Sequence, residues 1–303
     1  MAVLGPGSLT AYWRFQRGVA KAQLAAWLPA ERRLLIDISG PSANYSAQAA
    51  AQGHSVVRVV FGTRTEGGVS PGERPPGTPR WPQGPRDSVT GALAGARTLL
   101  SAIPAGGDAD RGLHARGRDG HPRAGSPGRV TLVMAEPGSL AFLADGCADG
   151  VIAEDGALSR QLMAEDLAAE IARVLRPGGK LLACVDSLVL GMAILAEQHH
   201  WAELTDVPHA VVVLVPWPDG TITRCFGAGQ LSDLLTEAGL EVTWIRPRTI
   251  LSPSMVDHVL GREPGALARL VKAELHAGQD RLMGTSPEDS FGISLLAAAR
   301  KPR

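Results

Sequence analysis

The stretch RLLIDISGPSANYSAQAAAQGHSVVRVVF (residues 33–61) decides the fold. RLLID (33–37) is an apolar run bounded by the turn-rich SGPSAN, and it reads as a buried strand with a loop at its carboxyl end. SAQAAAQG (46–53) reads as a helix closed by Gly53 in a C-cap position. SVVRVVF (55–61) is rich in β-branched residues and reads as a second strand. Strand, helix and strand within about 30 residues form the βαβ unit of a parallel sheet.

The pattern resumes downstream. Arg129–Met134 and Gly150–Ala153 read as strands, and Ala164–Leu175 as a helix with Leu167, Ile171, Val174 and Leu175 on one face. Pro177-Gly178-Gly179 is expected to break that helix before a strand at Lys180–Val185, with a helix from about Leu188 to Trp201 after it. The runs 209–216 and 221–226 flank the turn Trp217-Pro218-Asp219-Gly220 and predict a hairpin. A helix at 228–238 is closed by Gly239. Glu241–Ile245 and Ile293–Ala299 read as late strands around a mostly helical stretch from Ser254 to about Leu275. Alternating elements with an antiparallel end imply a doubly wound, mostly parallel α/β sheet covered on both faces. Upstream, residues 11–28 space Trp13, Ala20, Leu24 and Trp27 as a helix, a lid or a packing element. We therefore expect an N-terminal helical segment over 1–32 and one α/β domain over 33–303, with a hairpin and helical cap within 188–290.

Thirty Lys and Arg balance thirty Asp and Glu among 303 residues, so no net field recruits nucleic acid or an anionic membrane. The 36 glycines and 22 prolines are nearly a fifth of the chain, against roughly 12% in ordinary proteins. Two segments concentrate them: 62–86 and 104–128, expected to be flexible insertions, flank a crossover helix at Asp87–Ile103 capped by Asp87 or Ser88. Cys147, Cys184 and Cys225 form no pair with metal-ligand spacing, so neither a zinc site nor a disulfide framework is expected. No apolar segment with a cleavage site follows the N-terminus, and the longest apolar run, Leu181 to Ala196, contains Asp186 and falls short of the ~20 residues that span a bilayer. A cytoplasmic protein is the expectation.

In an open α/β sheet, ligands bind outside the carboxyl ends of the strands, where strand order reverses. The loop tips there are Asp37–Asn44, Phe61 onward, Ala135–Leu140 with Glu136 and Pro137, Ala153–Asp155, and Val185–Ser187. Small residues in the first let a helix N-terminus approach an anionic or polar ligand, although a tight strand-to-helix turn uses the same residues.

Glu170-Ile171-Ala172-Arg173-Val174-Leu175-Arg176-Pro177-Gly178-Gly179-Lys180-Leu181 resembles the helix, break and fifth strand of class I S-adenosylmethionine-dependent methyltransferases of the type 11 group. Ser139–Ile152 (SLAFLADGCADGVI) is similar to that family's loop and fourth strand, and Gln230–Val242 matches more loosely. The resemblance covers about Arg33 to Val185. It implies a seven-stranded Rossmann-like sheet, S-adenosylmethionine as cofactor, and methyl transfer to a small molecule. Asp37 matches the acid that ends the family's first strand, but its three loop glycines correspond here to Ser39, Pro41 and Ala43, with Gly40 between them. The acid expected to hold the ribose falls on Val60. Glu136 matches the acid that contacts the adenine amino group. By this resemblance Asp37, Ser39, Gly40, Pro41, Phe61, Glu136, Pro137, Glu154 and Asp155 are the expected cofactor contacts.

Candidate bases are Glu154 and Asp155, set against solvated loop acids or helix N-cap groups, and His199 and His200, set against a surface pair at a helix end. Trp217 reads as a pocket wall or as a packed hairpin tip. Tyr12 and Trp13 read as a lid or as core. With the glycine loop altered, a catalytically inert binding or interaction module stands as the alternative function.

Overall fold

The computed structural model describes residues 6–40, 44–62, 128–207, 210–217, 220–248, 251–280 and 292–303. Pro41, the crossover segment Asp87–Ile103 and nearly all of both insertions lie outside them. The chain begins with α1 (Pro6–Trp27), β1 (Leu34–Asp37), α2 (Tyr45–Ala51) and β2 (Ser55–Phe61), then continues with β3 (Val130–Ala135), β4 (Ala148–Ala153), α3 (Ala164–Val174) and β5 (Leu175–Asp186). Next come α4 (Leu188–Glu197), α5 (Trp201–Asp206), β6 (Val213–Pro216), β7 (Ile222–Cys225), α6 (Ala228–Glu237), β8 (Glu241–Arg248), α7 (Pro253–Arg262), α8 (Leu267–Asp280) and β9 (Ser294–Arg300).

Among the described residues, seven strands form the main sheet in the order β3-β2-β1-β4-β5-β9-β8. β1 pairs in parallel with β2 and β4, β2 with β3, and β4 with β5, while β9 is antiparallel to both its neighbours. β8 therefore points the same way as β1 to β5, and six carboxyl ends share one edge. The order reverses between β1 and β4, which places the ligand crevice there. The doubly wound sheet with its antiparallel end is the one the alternating pattern predicts.

Strand pleating explains why the strands read as unbroken apolar runs, since neighbouring residues point to opposite faces. Leu35, Val56, Ile152, Leu182 and Leu296 pack with Leu24 of α1 and Ala49 of α2. Ile36, Val57, Val151 and Leu181 pack on the other face with Leu167 and Ile171 of α3 and Leu231 and Leu235 of α6. Each such fully buried side chain contributes about 1.5–3 kcal/mol of transfer free energy. Farther along α1, Tyr12, Phe15 and Val19 join Val256 of α7 in a separate cluster, with residues of α8 packed around it. Tyr12 is thus core, while Trp13 is exposed.

Two local expectations need revision. The stretch 188–201 is two helices, because the chain turns at Gln198–His200 with His199 at φ 60° and Gln198 tied by its side-chain amide to the Pro216 carbonyl, 2.9 Å. Pro177-Gly178-Gly179 does not precede β5 but lies within it. Leu175 already pairs with Ala148, Gly178 turns at φ 77°, and a side chain at Gly179 would come within 2.8 Å of the Arg176 carbonyl. The expected hairpin forms, as a separate two-stranded sheet packed with Ile194 and Leu195 of α4 and with Val207. Trp217 packs against this cluster and donates its indole N–H to Thr223 Oγ1 at 2.8 Å, which makes it a packed hairpin residue.

Candidate functional site

The crevice is built from the loops after β1, β4 and β5, joined by residues past β2 and β3. Asp37 ends β1 almost completely buried, and its carboxylate accepts the Ser39 N–H at 3.0 Å and the Ser46 hydroxyl. It therefore fixes the loop and the start of α2 from within. Ser39 is buried too, and its hydroxyl accepts the Glu154 N–H at 3.0 Å, locking the β1 loop to the end of β4. Glu154 is fully buried, with both carboxylate oxygens on Arg248 at 2.6 and 2.7 Å, and Arg248 Nε donates to Gln23 of α1 at 2.6 Å. Asp37, Ser39 and Glu154, all expected as cofactor contacts, thus have their side-chain polar groups engaged inside the protein. Glu154 is accordingly neither a solvated loop acid nor a group open to the cleft.

Gly40 is buried beneath Asp155 and Arg160. Asp155 adopts φ 59° and Gly156 φ 67°, two consecutive left-handed residues that re-aim the chain after β4. Aspartate tolerates that region better than most side chains, and an Asp-Gly pair favours such a turn. A Cβ at Gly40 would collide with Arg160 Nη2 and lie 2.6 Å from Asp155 Oδ2. One at Gly156 would lie 3.7 Å from both Arg160 Nη1 and Asp186 Oδ2. The Arg160 guanidinium therefore rests in a slot between two glycines, with Asp155 on one side and Asp186 on the other. Its ion pair to Asp155 is loose, 3.9 Å, with each side chain about 40% exposed.

Ser159 holds the slot in place. Its hydroxyl accepts the Asp186 N–H at 2.8 Å, and its carbonyl accepts the Arg224 N–H at 2.7 Å, while the Arg224 side chain bonds Glu165 at 2.7 Å. Neither Arg160 nor Asp186 was singled out from sequence as a site residue. Burial pushes the Asp186 carboxyl up to about 6 against the counter-effect of Arg160, with Asp155 adding to the rise. Between its ordinary acidic range and pH 6 the folded protein holds this proton more tightly than the unfolded chain, so stability falls as pH rises through that window. Asp186→Asn should remove that loss. In urea melts at pH 4 and pH 7, the variant should gain up to about 3 kcal/mol relative to wild type at the higher pH. Equal pH dependence in both proteins would refute the assignment.

Beside the slot, a cavity of about 620 Å³ is lined by Pro137, Gly138 and Ser139 after β3 and by Arg160, Gln161 and Met163. Glu136, just before that lining, and Pro137 are exposed, and Phe61 is half-buried at the end of β2, next to Ala135 in register. Arg173 of α3 supports this loop, bonding the carbonyls of Leu140 and Leu143 at 2.9 and 2.8 Å while Glu170 accepts the Leu140 N–H at 3.0 Å. The two segments that carry the family resemblance are thus hydrogen-bonded to each other.

His199 is exposed, and His200 lies 3.3 Å from Glu203 in a helix-end pair on the cap. Cys184 and Cys225 are buried, which pushes both thiols up to about 12. Among the described residues, no group of three His, Cys, Asp or Glu is placed to hold a metal ion, and no helix is long and apolar enough to cross a membrane.

Against known proteins, no family model matches the chain, and no curated protein is detectably similar in sequence. Solved structures are similar in shape. A Listeria monocytogenes protein assigned as an S-adenosylmethionine-dependent methyltransferase aligns with TM-score 0.50 at 11% identity, over 94% of this chain and 99% of that one. A Methanosarcina mazei protein described among S-adenosylmethionine-dependent methyltransferases aligns with TM-score 0.49 at 15% identity, over 92% and 97%. A Burkholderia thailandensis 1,6-didemethyltoxoflavin-N1-methyltransferase, solved with its substrate and S-adenosylhomocysteine, aligns with TM-score 0.47 at 14% identity, over 96% and 81%. At these identities the likeness is one of fold. The chain has the Rossmann-like fold of class I S-adenosylmethionine-dependent methyltransferases.

Proposed function

We propose that the protein transfers a methyl group from S-adenosylmethionine to a small-molecule acceptor. The observation that carries this reading is the cluster of Gly40, Asp155, Arg160 and Asp186 at the strand ends beside the reversal between β1 and β4, with Phe61 and Glu136 at the ends of β2 and β3 along the same edge of the sheet. That donor set suits a ligand with an aromatic amine, a positive centre and an amino-acid head. The exposed Glu136 would accept from the amine, Phe61 offers an apolar face, and Asp155 with Asp186 offers negative charge to the positive centre. When bound, S-adenosylmethionine supplies an electrophilic methyl on a sulfonium. The chain's own part is to hold the acceptor in line with that methyl and to take up a proton. Asp186 is placed for the second task, with a carboxyl titrating near 6 at the end of β5.

Binding of S-adenosylhomocysteine, followed by calorimetry, should weaken about tenfold or more in Glu136→Ala through loss of a charge-assisted hydrogen bond. Unchanged affinity would remove Glu136 from the site. A second reading, an inert binding module, is favoured by the internal engagement of Asp37, Ser39 and Glu154 and by the absence of an acid at Val60. Saturable binding with no methylated product across a panel of small-molecule acceptors would favour it.

A further inference from the structure

Among the described residues of the loop after β1, two backbone donors are already committed. The Ile38 N–H is given to the Ile152 carbonyl at 2.9 Å, the Ser39 N–H is given to Asp37, and residue 41 is a proline without an N–H. A cation stands over this loop instead. Arg160 lies on the bare backbone of Gly40 and also lines the 620 Å³ cavity, so it reaches both compartments of the crevice. Its tie is weak where those of its neighbours are tight: 3.9 Å to Asp155, against 2.6 Å for Arg248 to Glu154 and 2.7 Å for Arg224 to Glu165. A partly exposed guanidinium held at that distance exchanges its counter-ion at little cost.

We propose that Arg160 is the carboxylate-recognising residue of the crevice, its guanidinium leaving Asp155 for the carboxylate of an α-amino-acid head group while Asp155 receives that group's ammonium. The free protein holds the two charges against each other, and the ligand's zwitterion separates and satisfies both. Arginine suits the role because its planar fork can bond a carboxylate through two parallel N–H groups. This rests on the S-adenosylmethionine reading for the identity of the ligand, but the chemistry belongs to any α-amino acid. The head group comes either from the cofactor or from an amino-acid acceptor.

The test is calorimetry on the intact chain with three probes: S-adenosylhomocysteine, which carries the head group; 5′-methylthioadenosine, which has the nucleoside without it; and free methionine. Arg160→Gln should weaken S-adenosylhomocysteine about tenfold or more and leave 5′-methylthioadenosine unchanged, and Arg160→Lys should recover part of the loss. Arg160 is about 40% exposed and its ion pair is loose, so thermal melts of both variants should stay close to wild type. A loss confined to free methionine supports the same chemistry in the acceptor's half of the crevice. Wild-type binding of S-adenosylhomocysteine, and of free methionine where it binds, that Arg160→Gln leaves intact overturns this inference and spares the proposed function. An equal loss for both nucleosides overturns it as well. Wild type that binds none of the three probes overturns both.

Discussion

Arg248→Ala should destabilise the protein by about 3–5 kcal/mol, because it strands a charge. Glu154 has no exposure to solvent, and both its oxygens depend on Arg248, so removing the guanidinium leaves an uncompensated carboxylate in the interior. The ion pair itself adds little net stability, since desolvating two charges offsets most of their attraction. The double variant Glu154→Leu/Arg248→Met should therefore recover most of what Arg248→Ala loses. Urea unfolding of the three proteins decides the matter. A single-variant loss under about 1 kcal/mol, or a double variant as unstable as the single, would contradict this account of the pair.

Asp37→Ala should cost about 2–5 kcal/mol and abolish ligand binding together. Its carboxylate is the acceptor for the Ser39 N–H and the Ser46 hydroxyl, and each buried donor left unmet costs about 1–3 kcal/mol. The same loss releases the loop that presents Gly40, so the crevice opens before the domain unfolds. Chemical denaturation gives the first effect and titration with S-adenosylhomocysteine the second. Intact binding in a destabilised variant would show that the loop keeps its shape without Asp37.

Local pattern carried the sheet. Unbroken apolar runs at Leu34–Asp37, Ser55–Phe61 and Leu181–Val185, separated by helices, specify strands covered on both faces, and those strands belong to one doubly wound sheet in the structure. Boundaries failed where a tertiary contact overrode propensity, as when the Pro-Gly-Gly turn was absorbed into β5 by pairing of Leu175 with Ala148. The site was legible at its backbone and not in its side chains. Acids at strand ends were visible in sequence, but whether each faces inward or outward depends on partners far along the chain. Glu154 is turned inward by Arg248, 94 residues away, and the Glu154 N–H is held by the Ser39 hydroxyl, 115 residues away. Arg160 lies seven residues past β4 in an otherwise ordinary loop, and only the two glycines it rests on reveal its place.

The central claim is that the crevice at the strand reversal holds the methyl donor. Equilibrium dialysis of the intact chain against radiolabelled S-adenosylmethionine tests it most directly. Saturable uptake approaching one molecule per chain, displaced by S-adenosylhomocysteine, is the predicted result. No retention above a control protein at millimolar ligand would contradict it.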